Sequence, residues 1–237
     1  LADLRGHIGD PGAIDNPLSQ LLDKAYALER RNLIDRKKAI AQPSAGFLSR
    51  LGGDTAYVAV VDGEGNAVSL IQSVFWDFGS GVPKTGIVMN NRMSSFDIDP
   101  HSPNCVGPGK RALHTLQSLM LMKDDQLFAA MGCPGGKNQG QLQFNLQLLV
   151  SLIDKGVDPQ TAVEQPRWRF ESGNEIAIES DTPEAVLSHL SALGHKLKLL
   201  APLSQELGSA KMIVVDPDSG TSMAAADPRR EGYAVST

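Results

Sequence analysis

The stretch Gly52-Gly53-Asp54-Thr55-Ala56-Tyr57-Val58-Ala59-Val60-Val61 constrains this chain more than any other. A Gly-Gly-Asp loop ends at a threonine, and that threonine opens an alternating apolar run. Val58 and Val60 fall on one side, Tyr57 and Val61 on the other, which predicts a largely buried strand over 55–61. Asp62-Gly63-Glu64-Gly65-Asn66 is a turn, and Ala67 to Ser73 returns as a second strand. The pair reads as an antiparallel hairpin. Taken by pattern alone, such a hairpin carries no chemistry.

Composition sets the outer limits. The chain has 237 residues, 41% apolar and 21% charged, ordinary for one globular unit with an ample core. The net charge is −5, and the densest basic stretch is only Arg36-Lys37-Lys38, which argues against nucleic acid as a partner. No apolar run reaches the length of a membrane span. Cys105 and Cys133 are able to pair, but two cysteines in a chain this long make no disulfide framework. Asp97 to Cys105 matches no metal-ligand spacing and reads as a structured loop, so neither metal nor cofactor is expected. The chain starts at Leu1 without a signal-peptide pattern, and an upstream portion is expected.

Mixed hairpins and helices predict an α+β fold. Asn16-Pro17 opens a helix reaching about Arg31, and 33–39 suggests a second short one. Leu127 to Met131 reads as a buried strand. It runs into Gly132-Cys133-Pro134-Gly135-Gly136-Lys137 and then a helix with Leu142, Leu146, Leu149, Val150 and Ile153 on one side. A glycine-rich turn from strand to helix suits a phosphate or a developing oxyanion. Phosphate-loop spacing fails, because Met131 stands at the first glycine position and Asn138 follows Lys137. Asp158-Pro159 starts another helix, Glu175 to Glu179 alternates as a strand, and Pro183 to Leu193 is a helix closed by Gly194. Lys211 to Asp216 and Thr221 to Ala225 form a last hairpin.

From Gly53 onward these stretches, together with Lys110-Arg111-Ala112-Leu113-His114-Thr115 and Asp227-Pro228-Arg229-Arg230-Glu231-Gly232, resemble the small subunit of the gamma-glutamyltranspeptidase family. The likeness is greatest to its transpeptidase-like and cephalosporin acylase-like branch. The resemblance implies an N-terminal nucleophile hydrolase with a four-layer αββα arrangement, two stacked antiparallel sheets between helices. It implies a cut between Asp54 and Thr55. Residues 1–54 would then be the tail of the large-subunit region, 55–237 the small-subunit catalytic region, and the C-terminus that of the family.

The resemblance also implies site roles. Thr55 is the nucleophile, Ser73 its hydroxyl contact, and Gly135 and Gly136 supply the oxyanion hole. Phe75 stands where the transpeptidases usually place Asn against the substrate's amino-acid end. Arg92 and Ser95 stand where they hold the α-ammonium of glutamate with Gln or Glu and Asp. From the residues alone, Arg92 reads equally as a solvated or salt-bridged surface residue. His114 and Thr115 become pocket candidates, and Arg167-Trp168-Arg169-Phe170 reads as structural.

The chemistry of Thr55 is self-contained. A threonine hydroxyl is a weak nucleophile that needs a base, and a freed α-amino group, with an unperturbed pKa of about 7.7–8.0, is one. The expected activity is amide hydrolysis or acyl transfer through an acyl-enzyme, on gamma-glutamyl or related dicarboxylic-acyl amides. The alternative is a family member without catalysis that serves as a binding or structural protein. The expected partners are a small amide substrate and the large-subunit portion of the same precursor, with a homo-oligomer open. The expected compartment is a bacterial cytoplasm or periplasm.

Overall fold

The computed structural model describes residues 6–40, 55–84, 86–136 and 140–236. The predicted hairpin forms to the residue. Strand β1 (Thr55–Val61) pairs antiparallel with β2 (Ala67–Ser73), from Thr55 opposite Ser73 to Val61 opposite Ala67. Asp62 fixes the turn. Its carboxylate accepts from the backbone N–H groups of Glu64 (2.9 Å) and Asn66 (2.8 Å) and from the Asn66 side chain (2.8 Å), while Gly65 takes the positive φ of 84°.

After the short pair β3 (Pro83–Lys84) and β4 (Ile87–Val88) come β5 (Leu119–Lys123) and β6 (Gln126–Gly132). These two join β10 (Lys211–Val215) and β11 (Ser222–Ala226) in an antiparallel sheet of order β11-β10-β6-β5. Helix α3 (Gly140–Leu149) runs on as a π-helical turn over Val150–Asp154, and α4 (Pro159–Glu164) follows. Phe144, Leu148, Leu152, Ala162 and Val163 of this helical layer form the core with Ala129, Met131, Met212 and Val214. The opposite face of the sheet carries the β1-β2 hairpin. There a Cβ on Gly132 would lie 2.5 Å from the Tyr57 ring, so glycine lets the aromatic close onto the sheet. Helix, sheet and sheet are therefore stacked as the α+β N-terminal nucleophile arrangement requires.

The outer face of the hairpin is open among the described residues. Val58, Val60, Val68 and Leu70 are each about half exposed there, so the strand expected to be largely buried is covered on one face only.

A third sheet stands apart. Strand β7 (Trp168–Ser172) pairs antiparallel with β8 (Glu175–Glu179), and β8 pairs in parallel with β9 (Lys196–Leu200) through helix α5 (Glu184–Ala192). Near the start of the chain the predicted single helix divides into α1 (Leu18–Leu21) and α2 (Lys24–Asn32), because Asp23 caps the second piece by accepting from Ala25 N–H at 2.5 Å. The helix expected over 33–39 does not form. There Asp35 accepts from Lys37 N–H at 2.8 Å, a local turn bond that competes with helix. None of the described helices is long and apolar enough to cross a membrane.

Beneath the third sheet lies a buried ion network. Arg229 reaches Glu179 at 2.6 Å and Asp227 at 3.1 Å, and Arg167 reaches Asp227 at 2.5 Å. Glu179 also accepts from the backbone N–H groups of Arg167 and Ser204, both at 2.8 Å. Two cations meet two carboxylates, and backbone groups take up most of the remaining donors and acceptors. Glu179→Ala would leave two buried cations, Arg167 and Arg229, sharing the single carboxylate of Asp227, and should destabilise the protein by about 3–5 kcal/mol, read as a lower midpoint in urea unfolding.

Candidate active site

Thr55 heads β1 opposite Ser73, the last residue of β2. Its Oγ1 donates to Ser73 Oγ at 3.2 Å, and the same Oγ accepts from the N–H of Phe75 at 2.9 Å. Asp54 and its glycine neighbours lie outside the described residues. Tyr57 sits against Gly132 at the end of β6, whereas Val61 lines one cleft with Gln126 and Leu127 at its start. Hence β1 and β6 run in opposite directions. Thr55 and the glycine turn after β6 share one end of the stacked sheets. The cleft itself, 660 Å³ with Asp62, Glu64, Asp125 and Asp216 on its walls, opens at the far end.

The turn Cys133-Pro134-Gly135-Gly136 is built for glycine. Gly135 and Gly136 have φ of 90° and 82°. A Cβ on Gly135 would lie 2.9 Å from Arg230 Nη2, and one on Gly136 would enter the Phe144 ring. Two successive residues in the left-handed region are strained for any other L-residue. The turn is held from behind, since Ser209 N–H donates to Pro134 O at 3.0 Å and Arg167 Nη1 approaches Cys133 Sγ at 3.6 Å. Lys137 is outside the described residues.

The remaining candidates gather around Phe75. Phe75 is buried with φ of 80°, rare for an aromatic residue. The Arg92 guanidinium carbon lies 4.1 Å from the centre of its ring, a cation–π contact. Arg92 Nη1 donates to Thr115 Oγ1 at 2.7 Å, and Asn90 accepts from Arg92 N–H at 3.0 Å. Arg92 is only 8% exposed, which excludes a solvated surface residue. Burial pushes its pKa down. Partial burial lowers the pKa of His114 too, and the charge of Arg92 adds to that. His114 is nevertheless exposed, its Nδ1 accepting from Leu116 N–H at 3.3 Å.

Ser95 stands differently. Its hydroxyl donates to Arg92 O at 2.8 Å and faces Leu113 O at 3.3 Å, so it closes the short 3-10 turn Arg92–Ser95 and ties it to the 110–116 loop. Asn104 braces the same junction, donating to Ser95 O (2.7 Å) and accepting from Leu113 N–H (2.8 Å). Asp10 clamps the loop from the other side through Arg111, which holds its carboxyl down at about 2. Sequence reading missed Tyr57, Asn104, Asp10 and Phe144. All four act through contacts distant in sequence, and their spacing carries no signal.

The profile of the gamma-glutamyltranspeptidase family matches residues 1–237. The chain belongs to the gamma-glutamyltranspeptidase family. It is 36% identical, over 95% of its length, to the glutathione hydrolase-like YwrD proenzyme of Bacillus subtilis, and 36% identical over 97% to the oxamate amidohydrolase proenzyme of Klebsiella pneumoniae. It spans 43% of each of these curated relatives. Among solved structures it is similar to the cephalosporin acylase from Bacillus halodurans, with a TM-score of 0.86 and 33% identity over 98% of this chain and 43% of that one. The fold expected from sequence is the one this gamma-glutamyltranspeptidase-family chain adopts, and family and relatives alike are hydrolases or transferases of acyl groups.

Ser73 is the joint of this candidate site, since one oxygen serves both Thr55 and the strained Phe75. Ser73→Ala should lower kcat by about tenfold, the worth of one hydrogen bond of ~1.4 kcal/mol, in steady-state amide hydrolysis. An unchanged kcat would remove Ser73 from the account.

Proposed function

We propose that the protein is a self-processing amidohydrolase or acyltransferase whose nucleophile is the N-terminal threonine released by a cut between Asp54 and Thr55. Residues 1–54 then close the large-subunit region, and 55–237 form the small-subunit catalytic region. The supporting observation is the Thr55 hydroxyl at the head of β1, bonded to Ser73 and sharing one end of the sheets with Gly135-Gly136. The proenzyme names of the relatives agree with cutting of a precursor.

In this reading Thr55 Oγ1 attacks the amide carbonyl, and its proton passes to the free α-amino group of the same residue. The carbonyl oxygen becomes an oxyanion, taken by the N–H groups of Gly135 and Gly136. One such donor is worth about 2.7–4 kcal/mol to a transition state. The α-ammonium returns the proton to the leaving amine as the C–N bond breaks, leaving an ester on Thr55. Water or a second amine attacks that ester and regenerates the hydroxyl. The acyl group is gamma-glutamyl or that of a related dicarboxylic acid. The rest of the precursor supplies the partner subunit and covers the open apolar face of β1-β2.

Thr55→Ala in the full-length precursor should abolish self-cleavage and amide hydrolysis together, and Thr55→Ser should keep both in weakened form. N-terminal sequencing and intact mass check the first point, with a new chain starting at Thr55 expected for the unaltered protein. A precursor that stays whole through long incubation would instead support a binding protein without catalysis.

A further inference from the structure

Lys211 opens β10, is partly buried, and directs its ammonium at one residue. Nζ donates to the Ser209 hydroxyl at 2.6 Å and to the Ser209 carbonyl at 3.2 Å. No carboxylate pairs with it among the described residues. Burial pushes its pKa down, against the charge of Asp227, which pushes it up. A lysine that turned its head to water would avoid this cost, so the bonds to Ser209 are held in spite of it.

The sheet fixes where Lys211 points. Lys211 stands directly opposite Gly132 in the antiparallel β10-β6 pair, and opposed residues share one face. A Cβ on Gly132 would meet the Tyr57 ring, so that face is the one covered by the β1-β2 hairpin. Both β10 and β1 run against β6, and both therefore start at the same end. Lys211 is level with Tyr57, and Ser209, two residues earlier, lies toward the level of Thr55. Ser209 is wholly buried, and its N–H donates to Pro134 O at 3.0 Å. The preceding Gly208 backs onto the same turn, its Cα 3.4 Å from where a Cβ on Gly135 would lie. The segment is thus held twice. Asp227 accepts from Ala210 N–H at 2.8 Å, and Lys211 grips Ser209.

We propose that Lys211 is a positioning residue: acting through Ser209, it fixes the Pro134-Gly135-Gly136 turn with its N–H groups aimed at the oxyanion formed at Thr55. This rests on the reading of Gly135 and Gly136 as oxyanion donors and adds the pair of residues that holds them. Backbone donors stabilise a developing charge only when their geometry is set in advance. A displacement of about 1 Å is enough to cost about a hundredfold in rate.

Two readouts on the full-length protein test this, one of them independent of bond cleavage. Lys211→Met should speed hydrogen exchange of the Ser209 N–H by about tenfold, read on peptides covering 208–212, with exchange in the β1-β2 hairpin unchanged. It should also lower kcat by about tenfold and leave KM within about twofold, using the faster of gamma-glutamyl- and glutaryl-p-nitroanilide. Lys211→Arg, which keeps the charge and the donors, should reverse part of both changes. Adding Ser209→Ala to Lys211→Met should lower kcat no further, because both act on one tether. Unchanged exchange in Lys211→Met would overturn the tether, and faster exchange with normal kcat would overturn the positioning role. Losses that multiply in the double variant would overturn it too, since the two residues would then act independently. Failure of the nucleophile assignment shows separately, as a precursor that does not cut itself, and the exchange readout stands without it.

Discussion

The structure depends on how two arginines are buried. Arg167 and Arg229 are almost wholly enclosed, and charges in that setting are tolerable only when paired and fully hydrogen-bonded. Glu179 from β8 and Asp227 from the C-terminal segment provide the pairing, and the carbonyls of Val163, Gln165 and Leu207 take most of the remaining donors, Arg167 Nε being left over. The network joins α4, the third sheet, the 204–210 loop and the C-terminal segment. It also reaches the glycine turn: Asp227 accepts from Ala210 N–H at 2.8 Å, and the neighbouring Ser209 N–H holds Pro134 O. The turn that carries Gly135 and Gly136 therefore rests on an ionic foundation that no solvent shares.

Left-handed backbone collects in front of that foundation. Gly135, Gly136, Gly208 and Phe75 all have positive φ, and all lie around Thr55 or the turn that shares its end of the sheets. Glycine takes this conformation freely, whereas Phe75 holds it only because its surroundings over-determine it. Here the determinants are the Phe144 ring under Gly136, Arg230 beside Gly135, and Ser73 under Phe75. The same rigidity positions Arg92, whose seat is an aromatic ring held by the oxygen that contacts Thr55. Arginine is thus buried in two ways, one kind paired with carboxylates and the other, among the described residues, set against an aromatic ring and a hydroxyl.

Much of this was legible in the sequence, for identifiable reasons. The β1-β2 hairpin was read to the residue because Asp62, Gly65 and Asn66 encode the turn locally and the apolar alternation encodes the strands. Strands β5 and β9 were not foreseen. Met and Lys alternate with Leu in 119–123 and 196–200; β5 pairs only with β6, across an Asp124-Asp125 turn that has positive φ without glycine, and β9 pairs only with β8, in parallel. The α3 helix was foreseen, but Phe144 and Leu148 bury the core side while Leu146 and Ile153 are exposed. Gly136, Gly140 and Gly208 make room for the Phe144 ring, a decision made by glycines far apart in the chain. In the site, the Thr55–Ser73 contact was expected from the family resemblance, and the strand register that sets the two residues opposite each other delivers it. Ser95 turned out to close a backbone turn, and the enclosure of Arg92 could not be read from its neighbours in sequence.

The central claim is that bond cleavage passes through an ester on the hydroxyl of Thr55. Acid quenching of the full-length protein during turnover of a dicarboxylic mono-amide, followed by peptide mass spectrometry, tests it most directly. The account predicts an added acyl mass on the peptide that begins at Thr55, lost on further incubation as the ester is hydrolysed. An adduct on another residue, or turnover with Thr55 unmodified at every quench time, would contradict it.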